Sequence, residues 1–194
     1  MKKIFTIITM AMLIFVMGIN NVKAQGCALS EGSFALNLGL GIGNNDGHNY
    51  DNHWHGNSYV VPTFNAAIDY AFLGNVINQH GSVSGGLYMG FGRGSKKDGG
   101  YKLIDGRWRI GTRGALHYTW VTNLDTYAGL SVGVRSDKYK LKDNNGNTSD
   151  PTTDSHFDCF GFAGARYDFG GIAVYSELAF TNFAFFQIGV AFMF

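Results

Sequence analysis

Several residue groups in this chain have types and spacings that could do chemistry. His53-Trp54-His55, with Asp46, His48 and Asp51 close by, offers transition-metal ligands, and alternate histidines on an extended segment can reach one ion. The segment is polar and no cysteine joins it, so His53 and His55 read first as exposed loop residues. A surface metal site is the weaker reading, and no cofactor is expected. Asp143-Asn144-Asn145-Gly146-Asn147 has part of a calcium-loop pattern but lacks the glutamate at the twelfth place, which leaves turn chemistry. Ser155, His156 and Asp158 supply a nucleophile, a base and an acid by type, yet Ser155 and His156 are neighbours whose side chains diverge in an extended chain. His117 stands apart in sequence. No triad spacing emerges, and no catalytic residue is expected.

A different set of charges, Asp69, Arg109, Arg113, Arg135, Arg166 and Glu177, falls at alternate positions of otherwise apolar stretches. Period-two alternation is the mark of a strand with two unlike faces. The clearest case is Ser33 to Ile42, where Phe34, Leu36, Leu38, Leu40 and Ile42 alternate with Ala35, Asn37, Gly39 and Gly41. The same pattern recurs from Val60 to Phe72, where Pro62 suits a strand end or bulge. It recurs again over Val83–Gly92, Trp108–Trp120, Tyr127–Arg135, up to Phe169, from Ile172 to Phe180, and over Gln187–Phe194. This gives eight strands. The intervening segments Gly43–Asn57, Arg93–Arg107 and Ser136–Ser155 are polar and read as long loops on one side. Leu73–Gly81, Asn123-Leu124-Asp125 and Gly170-Gly171 read as shorter connections on the other, and Thr181-Asn182 as a tight turn. Pairing about Gly170-Gly171 sets Tyr167 opposite Val174 and Gly164 opposite Glu177, and makes Arg166 and Glu177 inward diagonal neighbours. Without a bulge in the sixth strand, Phe160 and Phe162 also fall inward.

Aromatic residues collect at strand ends: Phe34, Tyr70, Phe72, Tyr118, Trp120, Tyr167, Phe169, Phe192 and Phe194 at one level, Phe91, Trp108 and Phe180 at the other. Aromatic rings favour a membrane interface, and strands with an apolar face against water would aggregate. The expected fold is an all-β, eight-stranded, antiparallel transmembrane up-and-down barrel. The 28 glycines, roughly twice ordinary usage, leave room inside a narrow barrel.

Residues 1–24 read as a secretory signal peptide, with Lys2 and Lys3, an apolar run from Ile4 to Ile19, and a small-residue cleavage site at Val22-Lys23-Ala24. The lipoprotein alternative at Cys27 lacks a leucine three residues before it. Residues 25–194 then form one barrel domain. Loss of Lys2, Lys3 and Lys23 takes the formal charge from +1 to −2, so no nucleic-acid partner is expected. Cys27 and Cys159 map to opposite ends of the barrel, too far apart for the ~7 Å between Cα atoms that a disulfide needs.

The last strand, with Gln187, Gly189, Phe192 and a final Phe194, resembles the terminal insertion signal of bacterial outer-membrane barrels. Gly164-Ala165-Arg166-Tyr167-Asp168-Phe169 and Tyr175-Ser176-Glu177-Leu178 complete a resemblance to the outer-membrane β-barrel domain family, the small OmpA- and OmpX-like barrels. The resemblance is strongest over roughly the last forty residues. It implies an outer-membrane location, with lipid, lipopolysaccharide and the barrel-assembly machinery as partners. Lys96, Lys97, Lys102, Lys138, Lys140 and Lys142 are then either solvated loop charge or contacts for lipopolysaccharide phosphates.

The inward charges most simply neutralise one another and plug the lumen. Four arginines against two acids also fit a narrow anion-favouring pore. The leading expectation is a non-enzymatic surface protein displaying its loops for adhesion, partner binding or envelope integrity. A small-solute channel is second and a lipid A-modifying enzyme third.

Overall fold

The computed structural model describes residues 29–45, 59–77, 80–98, 100–144 and 147–194. The strands are β1 (Phe34–Asn45), β2 (Tyr59–Val76), β3 (Gly81–Asp98), β4 (Tyr101–Val121), β5 (Leu124–Lys142), β6 (Thr152–Asp168), β7 (Ile172–Ala179) and β8 (Phe186–Met193). Each pairs antiparallel with the next, and β8 returns to β1 to close a barrel. The Gly164↔Glu177 and Tyr167↔Val174 registers are those that the Gly170-Gly171 turn dictates. Both glycines have positive φ, 104° and 102°, the conformation that a two-residue hairpin of this kind requires. Asp168 Oδ1 accepts from both of their amides, at 2.9 and 2.8 Å.

Alternation sorts the side chains into two solvents. Leu40, Leu87, Leu130, Val174, Leu178 and Ile188 stand exposed on the outer wall, while Asn37, Thr63, Asn65, Asp69, Arg109, Arg113, Arg166, Glu177 and Gln187 are buried inside. That inversion is the architecture of a transmembrane barrel. Rings gather near the short-turn end, with Phe34 4.7 Å from Tyr70, Tyr118 4.8 Å from Trp120 and Tyr167 5.0 Å from Phe169. Pro62 lies just beyond the last β2–β3 pair, Thr63↔Gly92, so its missing N–H falls where that ladder ends.

The strands differ in length more than their sequence suggests. β4 has 21 residues and β5 has 19, against 8 in each of β7 and β8, whereas a tilted span needs ~9–11 residues. Most of Arg93–Arg107 and much of Ser136–Ser155 are therefore strand and not loop. β3 pairs with β4 up to Asp98↔Tyr101, and β5 with β6 up to Tyr139↔Thr152. The upper parts of β3 to β6 form a ribbon beyond the barrel wall. Its inner side carries a small core of Leu103 and Tyr139 packed with Tyr59, Tyr101 and Leu141.

Two further expectations change and a conditional one is met. The Leu73–Gly81 connection is largely strand, with register shifts after Ala71 and Leu73. Phe160 and Phe162 do face inward, because β5–β6 pairing runs without a bulge. The tight turn at Thr181-Asn182 is instead a longer connection, 180–185, that folds over the mouth and buries Phe183 and Ala184. At the short-turn end the segment before β1 tucks beneath the barrel. Leu29 is fully buried, its carbonyl accepts from Ser82 Oγ at 2.6 Å, and Gly32 N–H donates to Ala71 O at 2.8 Å.

Candidate functional site

The lumen is a stack of ion pairs, built because every inward position of a narrow barrel must be filled and every buried charge matched. In the middle, Arg113 from β4 reaches across to Glu177 on β7 at 2.9 Å and to Asp69 on β2 at 3.2 Å. Gln187 Nε2 donates to the other Glu177 oxygen at 2.5 Å. Asn37 Nδ2 donates to Asp69 Oδ2 at 2.9 Å. The Arg113 guanidinium lies 3.9 Å from the centre of the Phe162 ring.

Arg166 does not pair with Glu177, its expected neighbour. It donates to Asp125, directly opposite on β5, at 2.5 Å, and to Asn37 Oδ1 at 3.2 Å. Asp125 also accepts from His117 Nδ1 at 2.9 Å, and His117 Nε2 lies 2.9 Å from Ser84 Oγ. Ser84, His117 and Asp125 thus have the order and spacing of a nucleophile, base and orienting acid, an arrangement the sequence reading did not find. All three are at most 1% exposed, and Leu29 closes the barrel beneath them. The relay presents no hydroxyl to a substrate, and its evident role is to satisfy Arg166 and Asp125 together.

Above the Arg113 layer, Arg109 is clamped among rings, 4.4 Å from Phe160, 4.5 Å from Phe183 and 5.1 Å from Tyr88, with Asp158 at 3.8 Å. Gly90 permits this packing: a Cβ there would come within 2.7 Å of both Asn65 Oδ1 and the Phe183 ring. At the mouth, Arg135 pairs with Asp137 at 2.9 Å and Arg107 with Asp105 at 2.5 Å. Arg107 also donates to the carbonyls of Asn44 and Asn182, at 3.1 and 3.2 Å, and so pins the 180–185 connection.

The arginine excess expected inside the barrel does not exist. Asp105, Asp125 and Asp137 join Asp69 and Glu177 because segments assigned to loop or turn are inward-facing strand, and Asp158, already within the sixth strand, joins them by facing Arg109. Asp137 is buried, contrary to the solvated loop predicted there.

Outside the mouth, the outer face of the ribbon is basic. Arg93 and Lys97 on β3, Lys102 on β4 and Lys138, Lys140 and Lys142 on β5 share the face that continues Phe91 and Trp108. Lys97, Lys102 and Lys142 stand directly opposite one another across three strands. Lys96 points to the other face, opposite the buried Leu103.

His53 and His55 lie outside the described residues, as does Cys27. Cys159 is free and exposed, and no metal-ligating cluster occurs among the described residues. Asp143 accepts from the Asn147 amide at 2.7 Å, which is turn chemistry. Gln187, Gly189 and Phe192 lie in β8, and the Phe194 amide closes onto Phe34 O at 3.0 Å.

Neither a protein-family model nor a curated protein matches the sequence. Among solved structures the chain is similar to Ail, the attachment invasion locus protein of Yersinia pestis. The likeness holds for Ail alone (TM-score 0.54, 13% identity) and in complex with the heparin analogue sucrose octasulfate (0.53, 14%). Each match covers 84% of this chain and 99% of that one. Identity this low speaks to architecture, and by architecture the chain is an eight-stranded antiparallel barrel of the form seen in Ail.

Proposed function

We propose that the protein is an integral outer-membrane barrel, exported behind the signal peptide of residues 1–24, whose ribbon binds a polyanionic ligand at the cell surface. Its role is binding and not catalysis. One observation carries the reading: Lys97, Lys102 and Lys142 face one another on adjacent strands. Like charges directly opposite in a sheet are destabilising unless an anion sits over them. Arg93, Lys138 and Lys140 extend the patch, and no acid occupies a described position of that face. The patch begins where the apolar wall ends, the level at which lipopolysaccharide phosphates or a sulfated glycan meet a membrane protein. That Ail was crystallised with a sulfated sugar supports the same ligand chemistry. Gln187, Gly189, Phe192 and Phe194 fit recognition by the barrel-assembly machinery.

The test is binding of sucrose octasulfate, and separately of lipopolysaccharide, to the folded protein and to the triple variant Lys97→Gln/Lys102→Gln/Lys142→Gln over a salt series. The variant is expected to lose about tenfold or more in affinity and to show a shallower salt dependence. Loss toward one ligand alone identifies the source of the anion. Unchanged affinity for both contradicts the reading.

A second reading has its own observation. β6 pairs with β7 only from Phe162 onward, and the last bond is Phe180 N–H to Gly161 O. Backbone polarity alternates along a strand, so Thr153, Ser155 and Phe157 turn their N–H and C=O groups toward an edge with no described strand beside it. Such an edge can add a strand from a partner protein, and Phe157, 71% exposed, would flank it.

A further inference from the structure

Midway along the lumen, between the Arg113–Glu177 pair and the layer of Phe160 and Phe183, lies a cavity of about 10 Å³. Asn65, Tyr88, Arg109, Ser131 and Gln187 all line it. Each is at most 6% exposed. Each also has a buried polar atom without a protein hydrogen-bond partner: Asn65 Oδ1, the Tyr88 and Ser131 hydroxyls, Arg109 Nε and Nη1, and Gln187 Oε1. Buried polar groups in a native interior are almost always satisfied, and here six unsatisfied atoms belong to residues that line one space.

We infer that this cavity is a binding site for a single ordered water that makes up to four hydrogen bonds with the side chains presented by β2, β3, β4, β5 and β8 and so ties these strands together across the lumen. The volume is that of one water. The chemistry of the walls selects the occupant. Gln187 must turn its Nε2 toward the acceptor-only Glu177 carboxylate, which aims Oε1 into the cavity as an acceptor. Asn65 Nδ2 is engaged by Thr63 Oγ1 at 3.0 Å, which leaves Oδ1 as a second acceptor. Arg109 can only donate. The Tyr88 and Ser131 hydroxyls can do either. The occupant must therefore donate to two amide oxygens and accept from a guanidinium, which water does and a simple ion does not. A metal cation would face Arg109. Chloride would face Gln187 Oε1 with the Glu177 carboxylate behind it, in a lumen whose arginines are already matched by acids. Phe183 is fully buried against Arg109 on the mouth side and Arg113 lines the cavity, so exchange of the water is expected to be slow.

The test is water-to-protein NOE and ROE spectroscopy on the isotope-labelled folded protein in detergent micelles. The expected result is a cross-peak of a long-lived water to the Tyr88 ring and the Ser131 β-protons. It should be lost in Ser131→Val, with the remaining amide spectrum retained. Absence of the cross-peak in the unsubstituted protein overturns the site whether or not the variant folds. Replacing chloride by gluconate should leave the Tyr88 and Ser131 resonances in place. Movement of both, with no water cross-peak, would assign the cavity to chloride and also overturn the inference.

Discussion

Asp125 holds two side chains at once, His117 and Arg166, and it is fully buried. Asp125→Ala leaves Arg166 in the lumen with only Asn37 Oδ1 as a side-chain acceptor. The expected cost is about 3–5 kcal/mol, the penalty for stranding a buried charge, read as a fall in the urea midpoint of the refolded barrel. Ser84→Ala removes one neutral hydrogen bond from the same relay and should cost about 1 kcal/mol. Equal small losses would contradict the relay. Arg113 and Glu177 are expected to couple by about 1–3 kcal/mol in a double-mutant cycle with leucine, because either single change orphans the other group, while additive losses would place the two outside one network. Alternation alone sufficed to turn Arg109, Arg113, Arg166 and Glu177 inward. Partner choice was not legible, because in so narrow a lumen Arg113 reaches across to β7, and Asp125, the true partner of Arg166, sits where the sequence reads as a turn.

At the scale of elements, the alternation in β3, β4 and β5 continues past the wall but with its sense reversed. Within the wall the outward residues are apolar and the inward ones polar. Beyond it, Lys102, Lys138, Lys140 and Lys142 face out while Leu103 and Tyr139 are buried. The reversal marks the change of outer solvent from lipid to water. It is also why these segments read as loops, since a search for outward apolar residues stops at Phe91 and Trp108. The 180–185 connection was illegible for a different reason: only the mouth geometry shows that Phe183 has Arg109 to cover. The open edge of β6 permits a sharp test. Thr153→Pro removes an N–H that points away from β5 and should leave folding unchanged while abolishing any strand addition at this edge. Thr152→Pro removes a β5–β6 ladder bond and should destabilise the upper ribbon. Hydrogen exchange of the β5 amides distinguishes them. Equal loss of protection in both variants would contradict the assigned polarity of the strand.

For the whole molecule, eight strands closed into a ring leave an interior that side chains fill. This barrel adds a cover at each end, Leu29 at the short-turn end and Phe183 at the mouth. That division of labour is the central proposal: a filled, charge-matched lumen serves as scaffold, and the ribbon above it is the part proposed to meet the ligand. The most direct measurement is single-channel conductance of the folded protein in a planar bilayer, beside Arg113→Ala and Arg166→Ala. The account predicts no discrete conductance steps from the unsubstituted barrel, with insertion verified independently. Anion-favouring steps that change in the arginine variants would contradict it and move the function from the ribbon to the lumen.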